Sequence, residues 1–213
     1  MDTLSGPYVI NLEHRIDRWT QVSEQFSRLN MKPIRIDAVY NKKDGATGCL
    51  ESHIKALSLI KPDTKAIWIC EDDCQFIVDR TTLEKTITSF LNTENNVKVL
   101  CLGYNSRQSC DFDKIFDKTT DNQTCTSYIV KTDFVEILRN LWTSVLIHRK
   151  NNTEHPLKSK YQSLHIHKSE YECTDQCWKL LQQDYVFLIP KVRCAIQTPS
   201  YSDIEKEEVD YGV

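Results

Sequence analysis

Three carboxylates, Glu71, Asp72 and Asp73, stand in succession directly after the apolar run AIWIC. Like charges at the rim of an apolar core repel, and something must offset that repulsion. A hard divalent cation does so, because Mg2+ and Mn2+ favour carboxylate oxygen and accept phosphate oxygens as further ligands. A cation held by protein on one side and by a diphosphate on the other stabilises a departing phosphate. A solvated acidic turn is the competing reading, and the triplet by itself leaves both open.

Two further clusters carry chemistry. In NLEHRIDRW, Asn11 closes a short apolar run, and Arg15 and Arg18 follow about one helical turn apart. Guanidinium groups there could grip a nucleotide's phosphate or base; an ordinary solvated helix face is the alternative. In GATGCLESHIKAL, Gly45 and Gly48 permit close backbone approach before a helix N-terminus, which favours anions. The spacing is not that of a P-loop. Ser52 and His53 fall on the expected first turn of that helix, where His53 is either a ligand-side group or a packed, hydrogen-bonded histidine. A zinc module from His165, His167, Cys173 and Cys177 has the right residue types, but HxH followed by CxxxC is not a standard zinc spacing.

These groups need elements to position them. Tyr8 to Asn11 reads as a strand. EHRIDRWTQVSEQFSRLN reads as a helix, with Ile16, Trp19, Val22, Phe26 and Leu29 on one apolar face. PIRIDAV resumes as a strand, so the order predicts a right-handed parallel unit. CLESHIKALSLIK is a second helix, and residues 65–70 form a third strand with the acidic triplet at its carboxyl end. TTLEKTITSFLNTE is a helix with Thr81 or Thr82 as its cap. VKVLCLG and TCTSYIV are strands, KTDFVEILRNLWTSVLI and CTDQCWKLLQQ are helices, and YVFLIP is a final strand. Residues 104–122 and 149–172 read as loop-rich, and the tail from residue 198 is acidic. Alternating strands and helices predict an α/β sandwich, in which ligands bind at the carboxyl ends of the strands.

The 213 residues suffice for one domain, or one domain with a small appendage, and are read as a single domain spanning 1–213. A net charge of −3 does not suggest nucleic acid as a partner. No apolar run is long enough to span a membrane, and the N-terminus lacks the pattern of a signal peptide. The nine cysteines are odd in number, and several lie in apolar runs, so reduced thiols in a cytoplasmic protein are expected.

Taken in order, YVINLEHRIDRW, IRIDAV, GATGCLESHIKAL, IWICEDDCQF, VLCLG, TSYIV, TDQCWKLL and SYSDIE resemble the motifs of the family 25 glycosyltransferases. That family includes bacterial lipooligosaccharide galactosyltransferases and collagen galactosyltransferases. The resemblance spans residues 8–205 and implies a GT-A fold with a mixed central sheet flanked by helices, divided into a nucleotide-sugar-binding half at 1–103 and an acceptor-side half at 104–213. It implies a nucleotide-sugar donor, UDP-linked, a glycan or glycoprotein acceptor, and Mn2+ or Mg2+ as cofactor. Glu71 and Asp73 would hold the metal as a DxD-like motif, with Asp72 on the donor side and Asp203 near the metal or diphosphate. Asn11, Leu12 and Arg15 would line the nucleotide pocket with Arg18 nearby, and Asp37 and Ala38 would flank the base or ribose. Gly48, Ser52 and His53 would support the donor. Transfer with inversion needs a carboxylate base for the acceptor hydroxyl, and the resemblance points to Asp175; a helix cap is the plain alternative. A non-catalytic sugar- or nucleotide-binding domain and a metal-dependent nucleotidyltransferase are the rival functions.

Overall fold

The computed structural model describes residues 3–166, 172–201 and 208–209. The chain begins with β1 (Leu4–Asn11), α1 (Ile16–Arg28), β2 (Ile34–Asp37), α2 (Gly45–Leu57) and β3 (Ala66–Glu71). Strand β1 lies between β2 and β3 and is parallel to both. The expected parallel strand-helix-strand unit therefore occupies this end of the sheet. Strand β1 starts earlier than Tyr8, and its pairing slips between Ser5 and Tyr8, around Pro7, which has no N–H to donate.

The apolar stripe of α1 is real but shorter than the periodicity suggests. Val22, Phe26 and Leu29 are buried, whereas Ile16 is exposed at the helix start. Phe26 packs edge-on against Phe76, with ring centres 5.0 Å apart, and against Trp68 at 5.7 Å. Helix α2 lies on the opposite face, where Leu50, Ala56 and Leu57 join Ile10, Ile36 and Ile69. Along β3, Ile67 and Ile69 face that core while Trp68 and Cys70 face the α1 side. Both sheet faces are thus covered, which is why AIWIC is apolar without alternation.

Two expectations about helix starts are corrected. Helix α2 begins at Gly45, because the Asp44 side chain accepts hydrogen bonds from the Thr47 N–H at 3.3 Å and the Thr47 hydroxyl at 2.6 Å. Ser52 and His53 are therefore mid-helix, and Gly48 is inside it. A Cβ at Gly48 would stand 2.5 Å from the Val39 carbonyl oxygen, so the glycine serves close packing. Helix α3 (Arg80–Leu91) is capped by Asp79, whose Oδ1 accepts from the Thr82 N–H at 2.7 Å. Thr81 and Thr82 lie within its first turn.

The remaining strands are β4 (Cys74–Phe76), β5 (Val97–Ser106), β6 (Ser109–Asp111), β7 (Phe116–Thr119), β8 (Asn122–Lys131), β9 (Val186–Pro190) and β10 (Ala195–Gln197). Sheet order is β2-β1-β3-β8-β5-β9-β7-β6, and β10 pairs with β4 and β5. Strand β8 runs antiparallel to both of its neighbours, so the sheet is mixed. The stretch expected as a loop at 104–122 holds the end of β5 and the β6–β7 ribbon. The outermost strand, β6, is polar because it forms the sheet's edge. Helix α4 (Thr132–Lys150) covers the α2 face, burying Phe134, Leu138 and Trp142. The stretch at 149–172 contains the end of α4 and α5 (Lys158–Ser163), with Tyr161 fully buried. After it come α6 (Thr174–Cys177), a 3-10 turn (Trp178–Leu180) and α7 (Leu181–Asp184). Beyond β10, β11 (Ser200–Tyr201) pairs antiparallel with β12 (Glu208–Val209). Six of the nine cysteines are buried and pack as small hydrophobes. Among the described residues no helix is long and apolar enough to cross a membrane.

Candidate active site

The chain leaves β1 toward β2 on one side and returns to β3 on the other, with α1 and α2 on opposite faces. In open α/β sheets the crevice outside the carboxyl ends of the strands at such a reversal is where ligands bind. Register places Asn11 beside Asp37 on β2, and Ile10 beside Glu71 on β3. Glu71, Asp72 and Asp73 turn the chain from β3 into β4 at this crevice.

The three carboxylates take three different sets of partners. Asp72 is buried and saturated: Asn11 Nδ2 donates to Oδ2 at 2.7 Å, and Arg18 Nη1 donates to Oδ1 at 3.0 Å. Glu71 Oε1 lies 3.1 Å from His53 Nε2, while His53 Nδ1 lies 2.8 Å from the Tyr128 hydroxyl. Asp73 receives Gln197 Nε2 on Oδ2 at 3.0 Å, and its backbone carbonyl accepts the Thr198 N–H at 2.8 Å. Arg18 Nη1 is 3.9 Å from the same Oδ2. Burial and the neighbouring Glu71 and Asp72 charges push the Asp73 carboxyl up to about 7, against the pull of Arg18 and Gln197. Among the described residues its Oδ1 is buried without a hydrogen-bond donor, and so is Asn11 Oδ1. Each unmade bond costs about 1–3 kcal/mol.

Asp175, in the first turn of α6, faces the same edge. Its Oδ2 accepts the Thr124 N–H at 3.1 Å and Gln176 Nε2 at 3.3 Å. Burial raises its proton affinity against the Thr124 bond, and the Glu71 charge adds to the rise. The Thr124 hydroxyl reaches Gln197 Oε1 at 3.3 Å, so one chain of contacts links Asp175 to Asp73.

The other singled-out residues lie around this centre. The Ala38 N–H donates to the Asn11 carbonyl, and the Lys55 Nζ donates to the carbonyl of exposed Asp37. The Leu12 carbonyl accepts from Arg35 Nη2 and from the Arg15 N–H. The Arg15 guanidinium forks onto Asp17, at 3.0 Å from Nε and 2.9 Å from Nη2, rather than toward the acidic turn. Ser52 donates to the Gly48 carbonyl at 2.7 Å and accepts the Val39 N–H at 2.8 Å, tying α2 to the loop after β2. Ser202 and Asp203, together with His167, lie outside the described residues. In the rejected zinc constellation, Cys177 is buried and its Sγ donates to the Thr174 carbonyl.

Gln197, Thr124, Tyr128 and Gln176 are absent from the sequence reading. Gln197 and Thr124 are neutral and distant in the chain, and only the β4–β10 pairing brings Gln197 to Asp73.

No family model and no curated protein sequence matches the chain. Solved structures do. A glycosyltransferase involved in glycosylation of the major capsid of PBCV-1 superposes with TM-score 0.53 over 95% of this chain and 96% of its own, at 9% identity. A197 from STIV matches with TM-score 0.45 over 93% of this chain and 94% of its own, at 11% identity. The 4-diphosphocytidyl-2C-methyl-D-erythritol synthase of Anaerococcus prevotii matches with TM-score 0.39 over 91% and 90%, at 10% identity. The first of these establishes the fold and, at that identity, the fold alone. The chain has a mixed α/β, GT-A-like fold, with a central sheet flanked by helices.

Proposed function

We propose that the chain is a metal-dependent glycosyltransferase. It moves a hexose from a UDP-linked sugar to a hydroxyl of a glycan or glycoprotein, with inversion. The observation that carries this reading is the buried, donorless Oδ1 of Asp73, in a turn that also presents Glu71 at the carboxyl edge of the sheet. Hard oxygen donors and an orphaned acceptor fit Mn2+ or Mg2+. Glu71 and Asp73 would hold that ion, with Asp203 as a further candidate. When bound it supplies charge stabilisation to the leaving diphosphate.

The chain's own residues do the rest. Asp72 does not reach for a ligand; it fixes Asn11 and Arg18 beside the turn. Arg18 lends positive charge where a diphosphate must sit. Asp37 and Ala38 border the crevice on the β2 side, suited to a base or ribose. Asp175, oriented by Thr124 and Gln176, takes the acceptor's proton as the acceptor oxygen bonds to the anomeric carbon and the bond to the diphosphate breaks. Its raised proton affinity makes it a stronger base at neutral pH.

The test is donor turnover with UDP-sugars and Mn2+. Asp73→Ala should abolish metal-dependent hydrolysis of the donor. Asp175→Asn should lower kcat about 10²–10⁴-fold while leaving donor binding in place. Unchanged turnover in Asp73→Ala overturns the metal assignment. Turnover of nucleoside triphosphates instead of nucleotide sugars would identify a nucleotidyltransferase, and binding without turnover a non-catalytic module.

A further inference from the structure

The acidic turn has a second neighbourhood, on its α2 side. Cys49 and His53 are four residues apart on α2 and share one helix face. Both reach toward Glu71. The Cys49 sulfur, a His53 ring nitrogen and a Glu71 carboxylate oxygen all lie within 4.8 Å of one another. Among the described residues no other group of histidine, cysteine and carboxylate side chains converges this way.

We propose that Cys49, His53 and Glu71 form a binding site for a borderline-soft transition metal, Zn2+, whose ligand chemistry differs from that of the Glu71–Asp73 pair. One thiolate, one imidazole and one carboxylate are zinc ligands, and three is the number of protein ligands in zinc sites that are not closed structural ones. Zinc bond lengths of about 2.0–2.3 Å require ligand atoms roughly 3.3–3.8 Å apart. The present spacing, within 4.8 Å, needs a closure of about 1.5 Å at most. Thiolate and imidazole favour zinc over Mn2+ and Mg2+.

The surroundings support the site. The buried Tyr128 hydroxyl holds His53 Nδ1 at 2.8 Å, which leaves Nε2 directed at Glu71. Such outer partners fix the tautomer and orientation of a ligating histidine. Tyr128 is itself wedged by Trp142 and Trp178, with ring centres 6.2 and 5.6 Å away. The Thr174 hydroxyl lies 3.3 Å from the Cys49 sulfur. The divalent charge offsets a thiolate and a carboxylate brought together at a crevice rim.

Glu71 is common to both sites. Zinc bound by Cys49 and His53 draws Glu71 away from Asp73, so zinc inhibits the Mn2+-dependent reaction. This corollary rests on the proposed transferase activity; the binding claim does not.

Cobalt is the spectroscopic probe. Co2+ added to the purified full chain should give a thiolate-to-cobalt charge-transfer band that saturates at one ion per chain and is displaced by Zn2+. The band should vanish in Cys49→Ser, with zinc affinity reduced at least about 100-fold, and Tyr128→Phe should weaken zinc about 10–100-fold. Absence of the band, or its persistence in a folded Cys49→Ser, overturns the site. Should that variant not fold, zinc X-ray absorption on the unaltered chain decides. One sulfur with nitrogen and oxygen supports the proposal; no sulfur, or two, overturns it. A chain that binds zinc but turns over no nucleotide sugar refutes the transferase reading alone. Mn2+-dependent turnover that saturating zinc leaves unchanged refutes the shared role of Glu71.

Discussion

Asp72 carries most of the structural burden within the acidic triplet. Its two oxygens are committed to Asn11 and Arg18, from the end of β1 and the start of α1. Removing it takes away two hydrogen bonds to a charged group at a site where both side chains are about nine-tenths covered. Asp72→Ala should therefore cost about 3 kcal/mol, measured by urea unfolding, since breaking a buried ion pair is expensive. A loss below about 1 kcal/mol would show that the pair contributes little. The triplet and the two arginines were legible in the sequence, because charged residues at the end of an apolar run stand out. Their division of labour was not. Which carboxylate is saturated and which keeps a bare oxygen depends on Gln197, Thr124 and His53, which converge only after folding.

At the scale of elements, the N-terminus of α2 is fastened to the C-terminal part of α4. Arg149 forks onto Asp44, with Nε–Oδ2 at 2.8 Å and Nη2–Oδ1 at 2.7 Å, while Asp44 also caps α2. The Arg149 guanidinium holds the Asp44 carboxyl well below the usual carboxylate range. A carboxyl depressed in the folded state contributes stability above its unfolded pKa of about 3.9, and that stability is lost as pH falls further. Both groups are partly exposed, so Arg149→Ala should cost about 1 kcal/mol at pH 7. The difference from the parent chain should shrink steadily below about pH 4, read from paired unfolding curves at each pH. A gap that stays constant down to pH 2 would remove Asp44 as its source.

The elements themselves were unequally readable. β1, α1, β2, α2 and β3 each bury one face or both, so their periodicity survives in the sequence. The β6–β7 ribbon does not, since Ser109, Cys110 and Asp111 are all exposed at a sheet edge. The start of α2 was misplaced because Gly45 and Gly48 suggest a loop. Gly48 is helical all the same, and its missing side chain makes room for the Val39 carbonyl.

For the whole molecule, the hydrogen bonds of the acidic turn join segments from Asn11 to Gln197, so a ligand seated there would link early and late parts of the chain. A nucleotide sugar with Mn2+ at 100 times its dissociation constant should add about 2.7 kcal/mol of stability. That corresponds to roughly 5–10 °C in Tm for a chain of this size. The shift should need both components together and should disappear in Asp73→Ala. An equal shift with the nucleotide sugar alone would place the donor elsewhere.

The position of β8 has a further consequence for how the protein comes into being. Strands β3 and β5 are synthesised first, yet in the finished sheet they never touch, because β8 occupies the slot between them. A nascent chain that has emerged only as far as residue 121 carries two strands as apolar as AIWIC and VLCL with the edges that β8 will cover still open. Open apolar edges invite pairing with other chains. Between the emergence of β5 and that of β8, these two edges have no strand of their own chain to fill the slot between them.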